Sequence, residues 1–327
     1  HLGKKISSID RVNRLVIAED GATAPYDRLL LATGSNPFML PVPGRDLHNV
    51  ISYRDIHDTN RMIAVSANAK HAIVIGGGLL GLEAANGLML RGMDVTVVHL
   101  MPWLMERQLD KSAGQLLQKS LQQRGLKFML ETQTEAILGD DNGAVRAIRF
   151  KDGTELPAEL VVMAVGIRPN TELAESAGLH CNRGIVVNDT MQTYDPRIYA
   201  VGECVNHRGI AYGLVAPLFE MAKVAANHLA LMGIGRYSGS VTSTKLKVTG
   251  IDLFSAGEFN GGDDTEEILL TDTVGGVYKK LVIRNDVLVG GVLYGDTVDG
   301  AWYFKLIREG KKINEIRDHL MFGESNL

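Results

Sequence analysis

HAIVIGGGLLGLEAANGLMLRGMDVTVVHL, running from His71 to Leu100, is the stretch that decides the fold. An apolar run, Ala72 to Ile75, meets Gly76-Gly77-Gly78-Leu79-Leu80-Gly81. A helix-like segment follows, closing at Arg91-Gly92, and a second apolar run, Val95 to Val98, comes after it. A Gly-x-Gly-x-x-Gly pattern alone says little; between a strand and a helix, with another strand behind, it points to dinucleotide binding. Gly76 permits the tight turn, Gly78 lets backbone approach a pyrophosphate, and Gly81 lets helix and strand pack closely. The free amides and partial positive charge of the helix N-terminus then face the phosphates.

Working outward, the chain before this unit alternates and then turns apolar, from Arg14 to Ala18 and again at Leu29-Leu30-Leu31, with Glu19-Asp20-Gly21 as a turn. Pro37, Pro41, Pro43 and Gly44 make a stiff connector. Beyond the unit, Asp110 to Gly125 reads as a helix with Leu116, Leu117 and Leu121 on one face, leading to a strand at Lys127–Leu130. Three strand-like pieces come next, separated by Asp141-Asn142-Gly143 and Lys151-Asp152-Gly153, both hairpin signals, so a meander is expected on the sheet. Leu160 to Val165 is a continuous β-type run of the kind buried in parallel sheets. Ile198 to Val201 is another, and Pro217 to Leu231 reads as a helix. Past Gly239 the pattern becomes strands at Lys245–Thr249, Leu253–Ala256, Glu267–Thr271, Tyr278–Arg284 and Val287–Leu293, then helices near 297–308 and 312–320.

At 327 residues there is room for two or three domains, and a hydrophobic content of 45% with 22% charged residues is that of a soluble globular protein. A net charge of −4 without long runs of one sign argues against a dedicated nucleic-acid surface. Apolar runs such as Leu160 to Ile167 are far too short to span a bilayer. Two cysteines, Cys181 and Cys204, supply neither a disulfide framework nor a CxxC pair, which suggests a reducing, cytoplasmic setting. No HExxH, Ser-His-Asp or other metal or nucleophile signature is present, and no metal is expected.

Four motifs in order carry a resemblance: Ala32-Thr33-Gly34-Ser35-x-Pro37, the Gly76/Gly78/Gly81 unit with Glu83, Val165 to Asn170, and Ile198-Tyr199-Ala200-Val201-Gly202-Glu203. The chain resembles the two-dinucleotide flavoprotein reductases, of glutathione-reductase type. Within them, Glu203-Cys204, Gly213 to Pro217, Ser243 to Lys247 with Gly250-Ile251-Asp252, and Gly290 to Leu293 with Gly295-Asp296 look most like the flavoprotein part of the large subunit of NAD(P)H-dependent nitrite reductase. NADH:rubredoxin reductases share much of the pattern.

The resemblance implies an α/β fold with two Rossmann-like nucleotide-binding domains and a C-terminal α+β interface domain. It places a split FAD-binding domain at 1–48 and 157–236, an NAD(P)H-binding domain at 49–156, and a rubredoxin-reductase-like domain at 240–327. The family's N-terminal FAD unit has its own glycine-rich turn, needing about 30 residues. Residues 1–30 hold glycine only at Gly3 and Gly21, so the first domain is expected to lack that βαβ unit and the chain to be N-terminally truncated. The iron–sulfur and sirohaem groups of nitrite-reducing members would belong to further domains. An electron-delivering module is therefore expected, passing electrons from NAD(P)H through FAD to an iron–sulfur or haem acceptor domain or protein, with a homodimer as a further use of the C-terminal domain.

By the same resemblance, Ala32, Thr33 and Gly34 would touch FAD through backbone, and Glu203, after Gly202, would accept hydrogen bonds from the ribityl hydroxyls. An exposed loop carboxylate is the other reading of Glu203. Val215 and Ala216 precede Pro217, a favoured first-turn residue, so a helix N-terminus would favour negative charge on the flavin there. Gly76, Gly78, Leu79, Leu80, Gly81 and Gly166 would line the NAD(P) site, and Glu83 would position the nicotinamide, although a first-turn carboxylate also suits the helix dipole with no ligand. NAD-binding units usually carry Asp or Glu at the end of the second strand, for the ribose 2′-hydroxyl. Here that position is His99, with Arg107 nearby in sequence, so NADPH is expected to be tolerated. Cys204 is expected to be a buried, inert thiol, and Lys245 and Lys247 to share one strand face. Two alternatives stand beside this reading: a stand-alone rubredoxin or ferredoxin reductase, and a nucleotide-binding fragment without turnover.

Overall fold

Four apolar residues, Leu160-Val161-Val162-Met163, form the second strand of a five-stranded parallel sheet, and each is at most 1% exposed. Such burial contributes on the order of 1.5–3 kcal/mol per side chain. This is why the segment shows no alternation: helices or loops cover both faces. The sheet runs Val50–Ser52, Leu160–Met163, His71–Ile75, Asp94–Val98, Lys127–Met129, all parallel. The computed structural model describes residues 1–231, 233–246 and 250–326. They divide into two compact units, 1–36 with 167–242 and 37–166 with 243–327.

In the larger unit the expected strand–turn–helix–strand is present. The helix Leu79–Leu90 follows the glycine turn, and Arg91-Gly92 closes it before the strand Asp94–Val98. The helix Ile56–Ser66 carries little signal in the sequence. Its apolar residues are scattered, with Ile56 and Ile63 exposed, so periodicity was weak. Its one clear signal is Asp55, whose side chain accepts from the amides of His57 and Asp58 as an N-cap. The meander is found as an antiparallel sheet of Thr134–Gly139, Val145–Phe150 and Glu155–Pro157.

The C-terminal part of this unit is an antiparallel sheet ordered Ser243–Leu246, Leu253–Gly257, Val287–Tyr294, Val277–Arg284, Glu266–Asp272. The helix Gly300–Glu309 packs on it. The expected helix near 312–320 is only a 3-10 turn at Arg317–Phe322. This sheet shares a core with the parallel one, since Leu253, Tyr278, Val292 and Tyr294 cluster with Leu82, Leu117 and Leu121. Polar ties reinforce the seam. Asp110 caps the helix Lys111–Gln123 through the Ala113 amide and accepts the Tyr278 hydroxyl at 2.6 Å, while Tyr294 and Ser120 hydroxyls meet at 2.5 Å.

The smaller unit begins with an antiparallel sheet of Ile6–Asp10, Leu15–Ala18 and Thr23–Pro25. Two parallel pairs follow, Leu29–Leu31 with Ile198–Ala200 and Ile185–Val187 with Val205–His207. The helix Val215–Leu229 closes their core through Met221 and Ala225. Among the described residues of this unit no glycine-rich strand–turn–helix accompanies them.

Candidate functional site

Gly76 has φ +120, which L side chains rarely adopt, and a Cβ there would stand 2.3 Å from the Ala164 carbonyl oxygen. A Cβ on Gly81 would stand 1.9 Å from the Gly76 carbonyl oxygen, so strand end and first helical turn touch backbone to backbone. Gly78 differs: a Cβ would meet nothing within 4 Å, so the space over it is open. Gly78 is also the N-cap of Leu79–Leu90, and no side chain caps this helix. Its first amides are the orphan donors every helix start leaves, together with the positive end of the dipole. Leu79 is half-buried and Leu80 exposed beside them. An open glycine before an uncapped helix N-terminus fits a dinucleotide pyrophosphate. Gly166, exposed with φ +107, lies three residues past the neighbouring strand Leu160–Met163.

His99 ends the strand Asp94–Val98 but does not offer a free ring edge. Its Nδ1 accepts the Gly77 amide at 3.0 Å, and its Nε2 lies 3.1 Å from Oε2 of Glu106. Nδ1 must therefore be bare, and the Nε2 hydrogen is donated to the carboxylate. That hydrogen bond holds the Glu106 carboxyl below the usual carboxylate range. Met105 donates its amide to the Gly77 carbonyl at 3.0 Å, tying the loop to the same glycine. Arg107 is exposed beside it. Glu106 is a residue that sequence reasoning missed: it stands seven positions past the strand end, where spacing rules for the second strand do not look.

Glu83 lies on the helix Leu79–Leu90, half-buried, and desolvation alone pushes its carboxyl up.

In the smaller unit, Thr33 donates its hydroxyl to the Asn170 carbonyl at 2.7 Å, and the Asn170 amide donates to the Gly34 carbonyl at 2.9 Å. Ala32 is exposed before them, and Gly34, with φ +66, has open space at its Cβ position. The parallel strands Leu29–Leu31 and Ile198–Ala200 thus end together, at Ala32-Thr33-Gly34 and Val201-Gly202-Glu203. Gly202, with φ +92, is likewise open, and Glu203 accepts the buried Ser35 hydroxyl at 2.7 Å. The helix Val215–Leu229 starts at exposed Val215 and Ala216 without a side-chain cap. Open glycines at two strand ends, a fixed carboxylate and an uncapped helix N-terminus fit the flavin half of FAD. Ser35 and Asn170 belonged to the quoted motifs, but their partners become visible only in three dimensions.

Cys204 is fully buried, its thiol donating to the Val201 carbonyl at 3.2 Å. Burial pushes the Cys181 thiol up to about 11, and both cysteines are free. Lys245 is exposed on an edge strand; Lys247 lies outside the described residues.

One unit carries a parallel sheet with a glycine turn, and the other carries open glycines at its strand ends; each by itself has the features of a nucleotide site. Comparison with known proteins agrees. Residues 1–228 match the pyridine nucleotide-disulphide oxidoreductase family and residues 243–311 the rubredoxin NAD+ reductase C-terminal domain. The chain belongs to the pyridine nucleotide-disulphide oxidoreductase family, whose members bind FAD and NAD(P)H. It is 54% identical over 96% of its length to a nitrite reductase [NAD(P)H] of Bacillus subtilis (strain 168), covering 39% of that protein. An assimilatory nitrate reductase electron transfer subunit of the same strain is 47% identical over 91% of the chain, with 38% of that protein covered. The chain thus spans about two fifths of the length of these relatives. The crystal structure of NADH:rubredoxin oxidoreductase from Clostridium acetobutylicum superposes with a TM-score of 0.78 at 26% identity, over 99% of this chain and 80% of that one.

Proposed function

We propose that this protein is the electron-input part of an NAD(P)H-dependent flavoprotein reductase, which takes hydride from NAD(P)H onto FAD and passes electrons to an iron–sulfur or sirohaem acceptor, as in the assimilatory reduction of nitrite to ammonia. The observation that carries the reading is the uncapped helix N-terminus behind an open Gly78, in a chain of this family. In this reading the FAD-binding portions lie within 1–48 and 157–236, the NAD(P)H-binding portion within 49–156, and 240–327 form the rubredoxin-reductase-like portion. No helix among the described residues is long and apolar enough to cross a membrane. A cytoplasmic setting goes with a donor drawn from the cell's nicotinamide pool, and two free thiols suit it.

When bound, FAD supplies a carrier that accepts two electrons as hydride and can release them one at a time. The chain's residues supply binding, orientation and charge. Amides at Leu79, Leu80 and Gly81 take the nucleotide pyrophosphate. Glu83 accepts a hydrogen bond from the nicotinamide carboxamide and so fixes which ring face is presented. Glu203, its orientation set by Ser35, accepts from ribityl hydroxyls. The N-terminus at Val215 and Ala216 favours negative charge on the flavin pyrimidine edge.

The test is the visible spectrum of the purified protein, recorded anaerobically while NADH is added. Flavin absorbance that bleaches stoichiometrically supports the reading. A flavin-containing protein that NADH cannot bleach would overturn it, and a colourless protein would favour a nucleotide-binding module without turnover. The match of 243–311 to a rubredoxin reductase domain favours one second reading, a stand-alone rubredoxin or ferredoxin reductase. Reduction of added rubredoxin at rates equal to NADH oxidation would select it.

A further inference from the structure

We propose that Glu106, held by His99, reads the adenosine ribose of the nucleotide by accepting its 2′-hydroxyl, so that the site prefers NADH to NADPH. The inference rests on the glycine turn being a nicotinamide nucleotide site, and it names the residue that selects between the two nucleotides. A dinucleotide unit ordinarily places an acidic side chain at the end of its second strand for this hydroxyl. Here the place is filled by the His99 ring, which lies against the turn so closely that a Cβ on Gly77 would stand 2.8 Å from its Cγ. The ring accepts from the Gly77 amide on one side and donates to Glu106 on the other. A carboxylate is thereby returned to the strand end, one imidazole further out.

Two ties fix it there: the His99 hydrogen bond, and the Met105 amide on the Gly77 carbonyl. His99 occupies Oε2 alone, and the Glu106 side chain keeps 23% of its surface exposed, leaving Oε1 to accept a hydroxyl. A carboxylate has no hydrogen to offer a phosphate oxygen and repels its charge. Arg107 is the rival, since a guanidinium would suit a 2′-phosphate. It is exposed, and no hydrogen bond or ion pair among the described residues holds it, so ordering it would cost side-chain entropy that pre-fixed Glu106 has already lost. Preference for NADH therefore replaces the tolerance of NADPH expected from His99 alone.

The test needs no turnover. ADP-ribose, its 2′-phospho form and its 2′-deoxy form are titrated into the full chain by calorimetry, since a hydrogen bond to a charged acceptor is worth about a tenfold change in affinity or more. The wild-type protein is expected to bind ADP-ribose at least about tenfold tighter than either analogue. Glu106→Ala, which leaves no polar group there, is expected to bring all three within about threefold. A wild-type protein that binds the 2′-phospho form as tightly, or that does not notice loss of the 2′-hydroxyl, overturns the role of Glu106 whether or not the variant folds. Absence of saturable ADP-ribose binding, or binding indifferent to Gly78→Ala, overturns the nucleotide-site reading beneath it. The two failures are thus distinct.

Discussion

Adding one methyl group at Gly81 puts a carbon 1.9 Å from the Gly76 carbonyl oxygen, so helix and strand must part. Gly81→Ala is expected to destabilise the protein by about 2–3 kcal/mol, as overpacking does, and to weaken nucleotide binding. Gly78→Ala, with φ −85 and open space, is expected to cost under about 1 kcal/mol, as loss of a glycine N-cap does, yet to weaken binding as much. Thermal melts beside nucleotide titrations separate these effects, and equal losses of stability in both variants would refute the open site. Glu83 gives a pH test. Its carboxyl is held above the ordinary range by burial, so the native state keeps the proton longer than the unfolded chain. The stability it contributes is full below the unfolded value and is lost as pH rises through the folded one. Glu83→Gln should flatten that fall and be the more stable protein at pH 7; an unchanged slope in urea titrations across the acid range would show Glu83 to be solvated. The tight backbone at Gly76 and Gly81 and the place of Glu83 on the helix were legible because spacing along one turn and one helix fixes them. Glu106 was not, because an imidazole stands between it and the strand end, and no local pattern encodes a relay across seven residues.

The helix Lys111–Gln123 shows the same limit at the scale of an element. Asp110 ahead of Leu116, Leu117 and Leu121 is a start signal any sequence reading finds, and the structure caps the helix there. The second job of Asp110, accepting the Tyr278 hydroxyl 168 residues away at 2.6 Å with Lys280 Nζ at 4.0 Å, depends on chain folding alone. Asp110→Ala therefore removes a cap worth about 1 kcal/mol and takes the carboxylate acceptor from the Tyr278 hydroxyl, leaving it Ser112, at a further cost of about 1 kcal/mol. Tyr278→Phe removes the donor but leaves the cap, and should cost only about 1 kcal/mol. Urea unfolding of the two variants measures the difference. Equal losses would mean that the cap contributes nothing and the seam everything. Lys280, 7% exposed at its side chain, is paired with Glu267 at 2.6 Å, so neither variant leaves that charge alone.

At the scale of the molecule, the compositional change near Gly239 suggests a separate C-terminal domain, and residues 243–311 match a family model of their own while 243–327 pack with 37–166 in one compact unit. Strand alternation marks each strand's buried face, but it does not say whether the cover is a helix of the same sheet or another sheet. Here Leu253, Tyr278, Val292 and Tyr294 supply part of the cover for Leu117 and Leu121, so the two sheets should lose their packing together. The chain carries its own reporters, since its two tryptophans are Trp103, after the nucleotide strand, and Trp302, in the C-terminal helix. Trp103→Phe and Trp302→Phe each leave one probe. A ligand bound at the glycine turn stabilises whatever unfolds with it by about 2.7 kcal/mol at a concentration a hundred times its Kd. ADP-ribose is therefore expected to shift the denaturation midpoint reported by Trp302 as far as that reported by Trp103. A shift confined to Trp103 would mean that the antiparallel sheet unfolds on its own, and the shared core would then be contact without cooperativity. An equal shift means that nucleotide occupancy is felt by the C-terminal sheet, which would couple binding of the electron donor to the domain that the family match relates to rubredoxin reductases.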